Sequence, residues 1–567
     1  MTVSSATSST GTGTTSSSSA STVTTTGTTN STSIDWGALI DAEVNAKLAQ
    51  ATSITTTITA NQAKVSAYQS LQTELSTLAS GLSSLSSSII NSIATNAFAT
   101  RSATITSTGD VSASSALSMS VNSGSATGDH TLQITQLATA QKVIGSSQSS
   151  STTALGYSGT FSLGLSGGSS AAISITSSMS MQDIVDAVNA QTTTTNVQAS
   201  VVQVSSGSYE LVLTGTQDAA DISYSSTPGG DDILNKLGVT NTSGAFTNVL
   251  QTSQAAKFTL DGVALTRNTN DISDVLSGVT FDLLQPTPSG ATVNISIGTD
   301  TSQIATALQT FVTNYNAFRD QVIAQSALNS DGTASSSAAL FGDNTMRDIM
   351  TQLQQVLSGS VGGMTMADLG LSFNENNELA LDTGTLSTVL TSNLAGVTRL
   401  LSAQTATSSS QLSVVNTGTS PQSFTLDLTV DSTGTLTGAS IAGDSSGFSV
   451  VGNSLIGNAG TIYAGMAFSY TGSTSQSITV TSTSGLAAQI YQLAQTNSGS
   501  SGTLQTLISN LQSRDTDLQS QVNDIQSNAA TFKARLQVQY ANYQAAIESA
   551  NNTLGYLKAL LDAASSN

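Results

Sequence analysis

The chain has 567 residues and a formal net charge of −20, yet only 8% of its residues are charged. A globular domain usually has about 25% charged residues, and here Ser, Thr, Asn and Gln supply the missing polarity, as is typical of β-rich extracellular or filamentous proteins. Its 14 Lys and Arg residues are scattered, which argues against binding to nucleic acid or to an anionic membrane surface. The absence of cysteine excludes disulfides and thiolate metal sites. A chain this long is expected to form several domains.

The first 33 residues form a lead that consists mostly of Ser and Thr and contains no Lys or Arg. A cleaved secretory signal needs a basic start and an apolar stretch, and the lead has neither. No run in the chain approaches the roughly 18 apolar residues of a membrane span. We expect residues 1–33 to be disordered, and the protein either to remain in the cytosol or to leave it without a cleaved signal.

Each end of the chain carries a heptad series of apolar residues, which predicts two long helices. The first series consists of Val65, Tyr68, Leu71 (or Gln72), Leu75, Leu78, Leu82, Leu85 and Ile89. The second consists of Leu518, Val522, Ile525, Ala529, Phe532 and Leu536 and continues through Tyr540, Tyr543, Ile547, Ala550, Leu554, Leu557 and Leu561. We expect the helix at 65–89 to pack against the helix at 518–561. The two helices are also candidates for contacts with other subunits.

The pattern between the helices predicts an α+β multidomain protein, with β-rich head domains inserted into a coiled-coil-like leg domain. We expect N-terminal leg helices at 34–98 and a C-terminal leg helix at 486–567. One head domain is expected at 99–150 together with 240–300, and an outer one at 151–239. Helices at 301–410 belong to the leg domain, and residues 411–485 form an inserted β-rich domain.

Several segments resemble one known family when they are taken in order. They are AKVSAYQSLQTELSTLASGLSSL (Ala63–Leu85), GDHTLQITQLATAQKV (Gly128–Val143), FTLDGVALTRNTNDISDVLSGVTFDLL (Phe258–Leu284) and LFGDNTMRDIM (Leu340–Met350). The chain is thereby similar to the bacterial flagellar filament cap proteins, also called flagellar hook-associated protein 2. It departs from the family in the long lead before Ile34, at Lys47 and at Gln50. These departures concern the contacts made by the terminal segments of the chain.

The resemblance implies a non-enzymatic assembly factor that caps the distal end of a flagellar filament and promotes ordered insertion of exported flagellin. It implies a ring-shaped homo-oligomer, with a pentamer favoured, and partners that include flagellin, the flagellar type III export apparatus and an export chaperone. Secretion would follow the flagellar export channel. We expect no cofactor, nucleic acid or membrane insertion. We expect filament contacts at Ile34, Trp36, Leu554 and Leu557, although Trp36 alternatively serves as a hydrophobic staple.

The sequence offers weak candidates for catalysis. His130 is the one histidine. It lies in an alternating strand, where a plain sheet role is expected rather than that of a catalytic base. Asp231–Asp232 and Asp218–Asp221 are expected to be loop acids or helix N-caps. The Gly pairs lack the Lys–Ser/Thr of a phosphate-binding loop. We therefore predict that the protein is not an enzyme and holds no metal.

Two alternative functions remain. A surface adhesin that binds host glycans or mucin is consistent with the Ser/Thr-rich, acidic composition, but it predicts clustered exposed aromatic residues, and aromatic residues are only 4% of the chain. A flagellin-like filament subunit is disfavoured by the helices at Thr301–Leu357.

Overall fold

The structure is a computed structural model that describes residues 35–418 and 423–565. The predicted disordered lead and Ile34 lie outside the described residues. The chain divides into two compact units, Met1–Ala63 with Asn510–Asn567, and Lys64–Ser509. Long terminal helices and antiparallel sheets confirm the predicted α+β class.

The terminal helices are the longest elements. They are α1 (Trp36–Ser86) and α11 (Thr503–Ser565). Asp35 begins α1 by accepting a hydrogen bond from the amide of Ala38, as an N-cap residue does. Many Thr and Ser side chains along α1 donate to carbonyls one turn back, as Thr55 does to Ala51, so these polar residues are accommodated within the helix.

The first β region contains a five-stranded sheet of order β1-β15-β3-β11-β12 and a three-stranded sheet of order β13-β14-β2. Leu132, Phe258 and Phe281 belong to the core that the two sheets enclose. The elements are β1 (Arg101–Thr108), α2 (Ala113–Ala116), β2 (Leu117–Val121), β3 (Gly128–Gln136), β11 (Ala256–Leu260), β12 (Val263–Arg267), β13 (Asp271–Ile272), β14 (Val279–Leu283) and β15 (Thr292–Thr299).

The second β region lies between β3 and β11 in sequence and has its own core, which includes Phe161, Ile184 and Leu211. Its sheets have the orders β10-β4-β8-β7 and β6-β5-β9. The elements are β4 (Lys142–Ile144), β5 (Gly159–Leu165), β6 (Ser170–Ile175), α3 (Met181–Asn189), α4 (Thr192–Thr195), β7 (Val197–Ser205), β8 (Ser208–Gly215), β9 (Ile222–Ser226), α5 (Ile233–Lys236) and β10 (Asn248–Gln251).

A helical region follows, together with two small hairpins. The amphipathic helix α6 buries Phe311, Tyr315 and Phe318. The elements are α6 (Thr301–Ala324), α7 (Asn344–Leu357), β16 (Ser360–Val361), β17 (Met364–Thr365), β18 (Leu371–Phe373), β19 (Leu379–Leu381), α8 (Thr383–Ser392), α9 (Leu394–Leu401) and, after the insert, α10 (Leu486–Ser498).

The insert between α9 and α10 is a sandwich of two four-stranded antiparallel sheets, of orders β20-β27-β22-β23 and β21-β26-β25-β24. An aromatic cluster of Phe424, Phe448, Tyr463 and Phe468 fills its core. Its strands are β20 (Gln404–Thr407), β21 (Leu412–Thr417), β22 (Phe424–Val430), β23 (Leu436–Ser440), β24 (Phe448–Val451), β25 (Ser454–Gly457), β26 (Met466–Tyr470) and β27 (Gln476–Thr483).

Asn91 holds the insert to the turn that follows α1. Its Nδ2 donates to the hydroxyl of Thr417 over 2.6 Å, and its Oδ1 accepts from the Thr417 amide over 3.0 Å. Both polar groups of one side chain therefore engage the end of β21. No helix in residues 35–418 and 423–565 combines the length and apolar character needed to cross a membrane.

Candidate functional site

The first unit is an antiparallel pair formed by the start of α1 and the body of α11. Near the start of α1, Ile40 and Val44 form a buried cluster with Ala529 and Leu536, against which Phe532 and Tyr540 pack. Further along, Ala51 and Ile58 form a second cluster with Val522, joined by Leu518 and Ile525. Successive residues of α1 therefore contact progressively earlier residues of α11, as in an antiparallel pair of helices. These contacts cover one apolar face of α11 from Leu518 to Tyr540.

These contacts correct the predicted partner of this face. The heptad spacing predicts residues 65–89, whereas the contacts in the first unit come from residues 40–58 of α1. The difference arises because α1 begins at Trp36, well before the series of large apolar residues. Its first half has small or widely spaced apolar residues, such as Ala51 and Ile58, between many Thr and Ser residues.

The predicted seam residues of α1 are buried in the second unit. Their exposed fractions are 9% or less for Val65, Tyr68, Leu75, Leu78, Leu82 and Leu85. Leu71, not Gln72, is the buried member of the ambiguous pair. Gln72 instead donates through Nε2 to the Ser498 carbonyl over 2.9 Å.

Tyr68 is the polar member of this buried series. Its hydroxyl donates to Oδ2 of Asp343 over 2.5 Å. Burial, with the Asp343 carboxylate as a further cause, raises the pKa of Tyr68 far above its usual value. Asp343 is also the N-cap of α7 and accepts from the amide of Met346. Tyr68 therefore ties α1 to the beginning of α7.

Polar contacts line the covered part of α11. Nδ2 of Asn61 donates to Oδ1 of Asp515 over 2.7 Å, and Nζ of Lys533 donates to Oδ1 of Asp41 over 2.9 Å. The Lys533–Asp41 pair is well exposed, with side-chain exposures of 44% and 62%, so it contributes little stability. Asn61, in contrast, is buried, and its hydrogen bond to the Asp515 carboxylate is of the more strongly stabilising, charge-assisted kind.

An aromatic contact joins α1 and α11 at the point where α1 begins. The ring of Trp36 stacks on the ring of Tyr540, with centroids 5.0 Å apart and an interplanar angle of 27°. The Tyr540 hydroxyl donates to Oε1 of Glu43 over 3.0 Å. Desolvation, and then the Glu43 carboxylate, raise the pKa of Tyr540. Trp36 therefore packs on a residue of α11, which is not the contact within one helix that defines a hydrophobic staple, so both of its predicted roles stay predictions. Ile34 lies outside the described residues.

Beyond Tyr540 the same face of α11 is exposed. We call its residues the terminal stripe; they are Tyr543, Ile547, Ala550, Leu554, Leu557 and Leu561. Leu554 is 62% exposed, Leu557 54% and Leu561 74%. Two more apolar residues, Tyr556 and Leu560, are exposed on this helix. They do not belong to the heptad series, because they lie beside the seam. The exposed face includes both C-terminal residues predicted to touch the filament.

The candidate catalytic residues make ordinary structural contacts. Nδ1 of His130 lies 2.8 Å from Oδ2 of Asp261 in the turn between β11 and β12. Asp232 is the N-cap of α5, since its carboxylate accepts from the Asn235 amide, while Asp231 accepts from the amide of Ser158. Within the described ranges, no three His, Asp or Glu side chains gather to hold a metal ion.

A cleft that the sequence does not predict lies between α6 and α7. It has a volume of about 540 Å³ and is lined by Phe341, Met346 and Met350 among others. The carboxylate in it belongs to Asp343, which already accepts from Tyr68. The cleft therefore combines apolar side chains with polar ones such as Arg347 and Gln354, and its carboxylate already has a partner.

Comparison with known protein families identifies the class of protein. The family model described as flagellar hook-associated protein 2 C-terminus matches residues 253–552, and the model for the N-terminus of the same family matches residues 32–141. A third model, the flagellin hook IN motif, matches residues 160–217. The chain belongs to the flagellar hook-associated protein 2 family.

Individual relatives carry the same name. Flagellar hook-associated protein 2 of Escherichia coli K12 is 26% identical over 386 residues, which cover 65% of this chain and 78% of the relative. The A-type flagellar hook-associated protein 2 of Pseudomonas aeruginosa is 26% identical over 301 residues, covering 49% and 62%. The crystal structure of the flagellar cap protein D1-D2-D3 domains from Escherichia coli covers 79% of this chain and 99% of that one, at 22% identity and a TM-score of 0.47.

Proposed function

We propose that this protein caps the distal end of a bacterial flagellar filament and promotes the ordered insertion of flagellin. The family membership supports this proposal, since relatives are named hook-associated proteins and a solved relative is a flagellar cap protein. The assembly is a ring of identical copies, with five favoured. The protein and its flagellin partner reach the tip through the flagellar export channel, with the type III export apparatus and a chaperone.

The observation that carries the proposal is the terminal stripe. The helix α11 continues to Ser565, whereas its covered face ends at Tyr540, so a further 25 residues (541 to 565), about 37 Å of helix at 1.5 Å per residue, project with an exposed apolar face. Leu554 and Leu557 on this projection contact the filament end. Trp36 contributes to the contact by fixing the helix pair from which the stripe projects.

The chemistry of the projecting helix suits a contact that is made and released repeatedly. Around the stripe lie Ser, Thr, Asn and Gln, and neutral hydrogen bonds of such groups contribute only about 0.5–1.5 kcal/mol each. Many weak contacts allow a cap to hold the filament end and still shift at each subunit addition. The mechanism is steric confinement with no covalent step, so the protein acts without enzymatic activity.

The adhesin alternative receives no support from the described β regions. An adhesin of the predicted kind needs exposed aromatic residues, but the large exposed side chains on these sheets are aliphatic, including Val202, Val204 and Leu250.

Electron microscopy of filaments labelled with a gold-conjugated antibody against the insert tests the proposal. A cap gives label at one end of each filament, the end distal to the cell. Label along the whole filament would instead support a flagellin-like subunit, and label on cells that lacks any association with filament ends would overturn the capping function. Cells that lack the gene provide the control for antibody specificity.

A further inference from the structure

We propose that the outer half of β7 is an open sheet edge, at which the same strand of a second copy of this chain pairs. The strand β7 lies at one edge of the sheet of order β10-β4-β8-β7, and we call its residues 201–205 the open edge. The inference goes beyond the capping function and does not depend on it. The contact is two-fold symmetric, so it joins copies in pairs and does not itself build a ring of five.

The hydrogen bonds of Ala199 show which backbone groups of β7 point away from the sheet. Its amide donates to Oδ1 of Asn189 over 2.8 Å, and its carbonyl accepts from Nδ2 of Asn189 over 3.0 Å. Ala199 therefore points away from β8. Because alternate residues of an antiparallel strand point the same way, the amides and carbonyls of Val201 and Gln203 also point away from β8.

Side chains close this edge in the first half of β7 only. The Thr195 hydroxyl accepts from the amide of Val197 over 3.2 Å, and Asn189 occupies the next outward position. Beyond it, in the part of the chain that the structure describes, no hydrogen bond reaches the outward groups of Val201 and Gln203. Such unpaired groups are a template for an additional strand.

The side chains of the open edge are suited to a strand partner. Val202 is 42% exposed and Val204 49%, and β-branched residues favour strands. Residues 197–205 include no charged residue and no proline, which are the usual means of blocking an edge. Since the chain has a formal charge of −20, an uncharged strand is also a place where two copies can approach each other.

The open edge is complementary to itself in one antiparallel register. When a two-fold axis passes beside Val202, Val201 faces Gln203 of the second copy and Gln203 faces Val201 of the second copy. All the outward amides and carbonyls of both residues are then paired, and Val202 packs against Val202 of the second copy. In the neighbouring registers one of these residues faces Ala199, which Asn189 already occupies, or Ser205, which pairs with β8. Fewer open groups are then satisfied.

Charge does not oppose this pairing. The nearest acidic residue in the ladder is Glu210, which lies opposite Val202 on β8. Across the pair, the two Glu210 residues are separated by three strand spacings, about 14 Å, which exceeds the screening length of about 8 Å at physiological ionic strength. Two four-stranded sheets thereby join into one continuous sheet. Asn189 limits the pairing to a few residues, so the contact is reversible.

Cysteine cross-linking of the full-length protein tests the register, because the chain has no native cysteine. We expect Val202→Cys to link to itself under oxidising conditions, since its two copies lie about 4.5 Å apart between Cα atoms, within the range of a disulfide. Val204→Cys is the matched control. Its two copies lie about 13 Å apart along the strand, so it should link only when mixed with Ser200→Cys, which it faces. Equal self-linking of both valine variants, or no linking of Val202→Cys, overturns the proposal.

Sedimentation of variants tests the backbone pairing. Gln203→Pro removes an outward amide and leaves the ladder with β8 intact, as proline at a strand edge does. Because two hydrogen bonds of the pair are lost, we expect the dissociation constant to rise by about tenfold or more. Gln203→Ala keeps the amide and is the matched control. Unchanged pairing in Gln203→Pro, or equal loss in Gln203→Ala, would contradict the proposal.

A charge exchange at the two-fold axis tests the same contact without proline. Val202→Lys and Val202→Asp should each lose the pairing, since like charges then face each other directly, whereas an equimolar mixture of the two should regain it. Loss that the mixture does not reverse would overturn the proposal. A failure in any of these tests leaves the tip-labelling result unaffected.

Discussion

Trp36 and Tyr540, from opposite ends of the chain, stack ring on ring at 5.0 Å. The contact marks the point at which α1 begins and at which the covered face of α11 ends. Because Trp36 is the only tryptophan, its fluorescence reports on the helix pair of the first unit.

Substitution of Tyr540 tests this contact. We expect Tyr540→Ala to shift the Trp36 emission to longer wavelength. We also expect it to destabilise the helix pair, and the loss of the aromatic contact alone accounts for about 0.5–1.5 kcal/mol. Tyr540→Phe is the matched control, because it keeps the ring and loses only the hydrogen bond to Glu43. Denaturant titration followed by Trp36 fluorescence measures both. An unchanged emission spectrum in Tyr540→Ala would show that the stack does not persist in solution.

Tyr68 is expected to stabilise the second unit through one hydrogen bond. Tyr68→Phe keeps the buried ring but leaves the Asp343 carboxylate without its 2.5 Å donor, and a hydrogen bond to a charged group is worth about 1.5–3 kcal/mol. We expect the free energy of unfolding to fall by that amount in thermal denaturation followed by circular dichroism. Tyr68→Asp should be much more destabilising, since it buries a second carboxylate beside Asp343. A Tyr68→Phe variant with an unchanged free energy of unfolding would contradict this role of the hydrogen bond to Asp343.

The pair of His130 and Asp261 predicts a specific acid sensitivity. The hydrogen bond from His130, followed by that from the Thr131 amide, lowers the pKa of Asp261. A carboxyl group whose folded pKa lies below the unfolded value of about 3.9 contributes its full stability above that value and loses it as the pH falls through the folded pKa. The melting temperature of Asp261→Asn should therefore lie below that of the original protein at pH 6, and the difference should shrink below about pH 4.

Asp129→Asn is the control for this measurement, because Asp129 is an exposed residue of β3, the strand that contains His130. Its melting temperature should follow that of the original protein at both pH values. A constant difference between Asp261→Asn and the original protein across the whole pH range would show that Asp261 acts by packing and not through its charge.

Asn91 is expected to control the attachment of the insert. Asn91→Ala removes both hydrogen bonds to Thr417, so amide hydrogen exchange in β21 should accelerate while the core strands of the second β region stay protected. The neighbouring Ile90→Ala is the control, since Ile90 is 42% exposed. Equal exchange in the two variants would mean that other contacts hold the insert.

The sequence predicts the parts of the fold that have a regular apolar period. The series from Val65 to Leu85 and the alternating strands around Phe258 are of this kind. It does not predict the true partner of α11, because the first half of α1 buries small or sparse residues such as Ala51 and Ile58 among hydroxyl side chains. Nor does it predict the contact of Asn91 with Thr417, because no local pattern links residues 326 positions apart.

The same reasoning applies to the candidate site. Leu554 and Leu557 are predictable from the heptad count, and their exposure follows from where α1 begins, which only the structure reveals. The role of Trp36 depends on a partner in the last helix. The sequence alone therefore leaves it open between a staple and an anchor.

A variant that lacks Gly555–Asn567 tests the capping account most directly. It is expressed in flagellated cells that lack their own copy of the gene. The deletion removes Leu557 and Leu561 from the stripe and leaves the covered face of α11 intact. Val538→Ser is the control, because Val538 is 64% exposed on α11 but belongs to neither the covered face nor the stripe. The account predicts that the truncated protein is folded and exported but does not cap, so that flagellin accumulates as monomers in the medium and filaments are absent, whereas Val538→Ser restores them. Full-length filaments in cells with the truncated protein would contradict it.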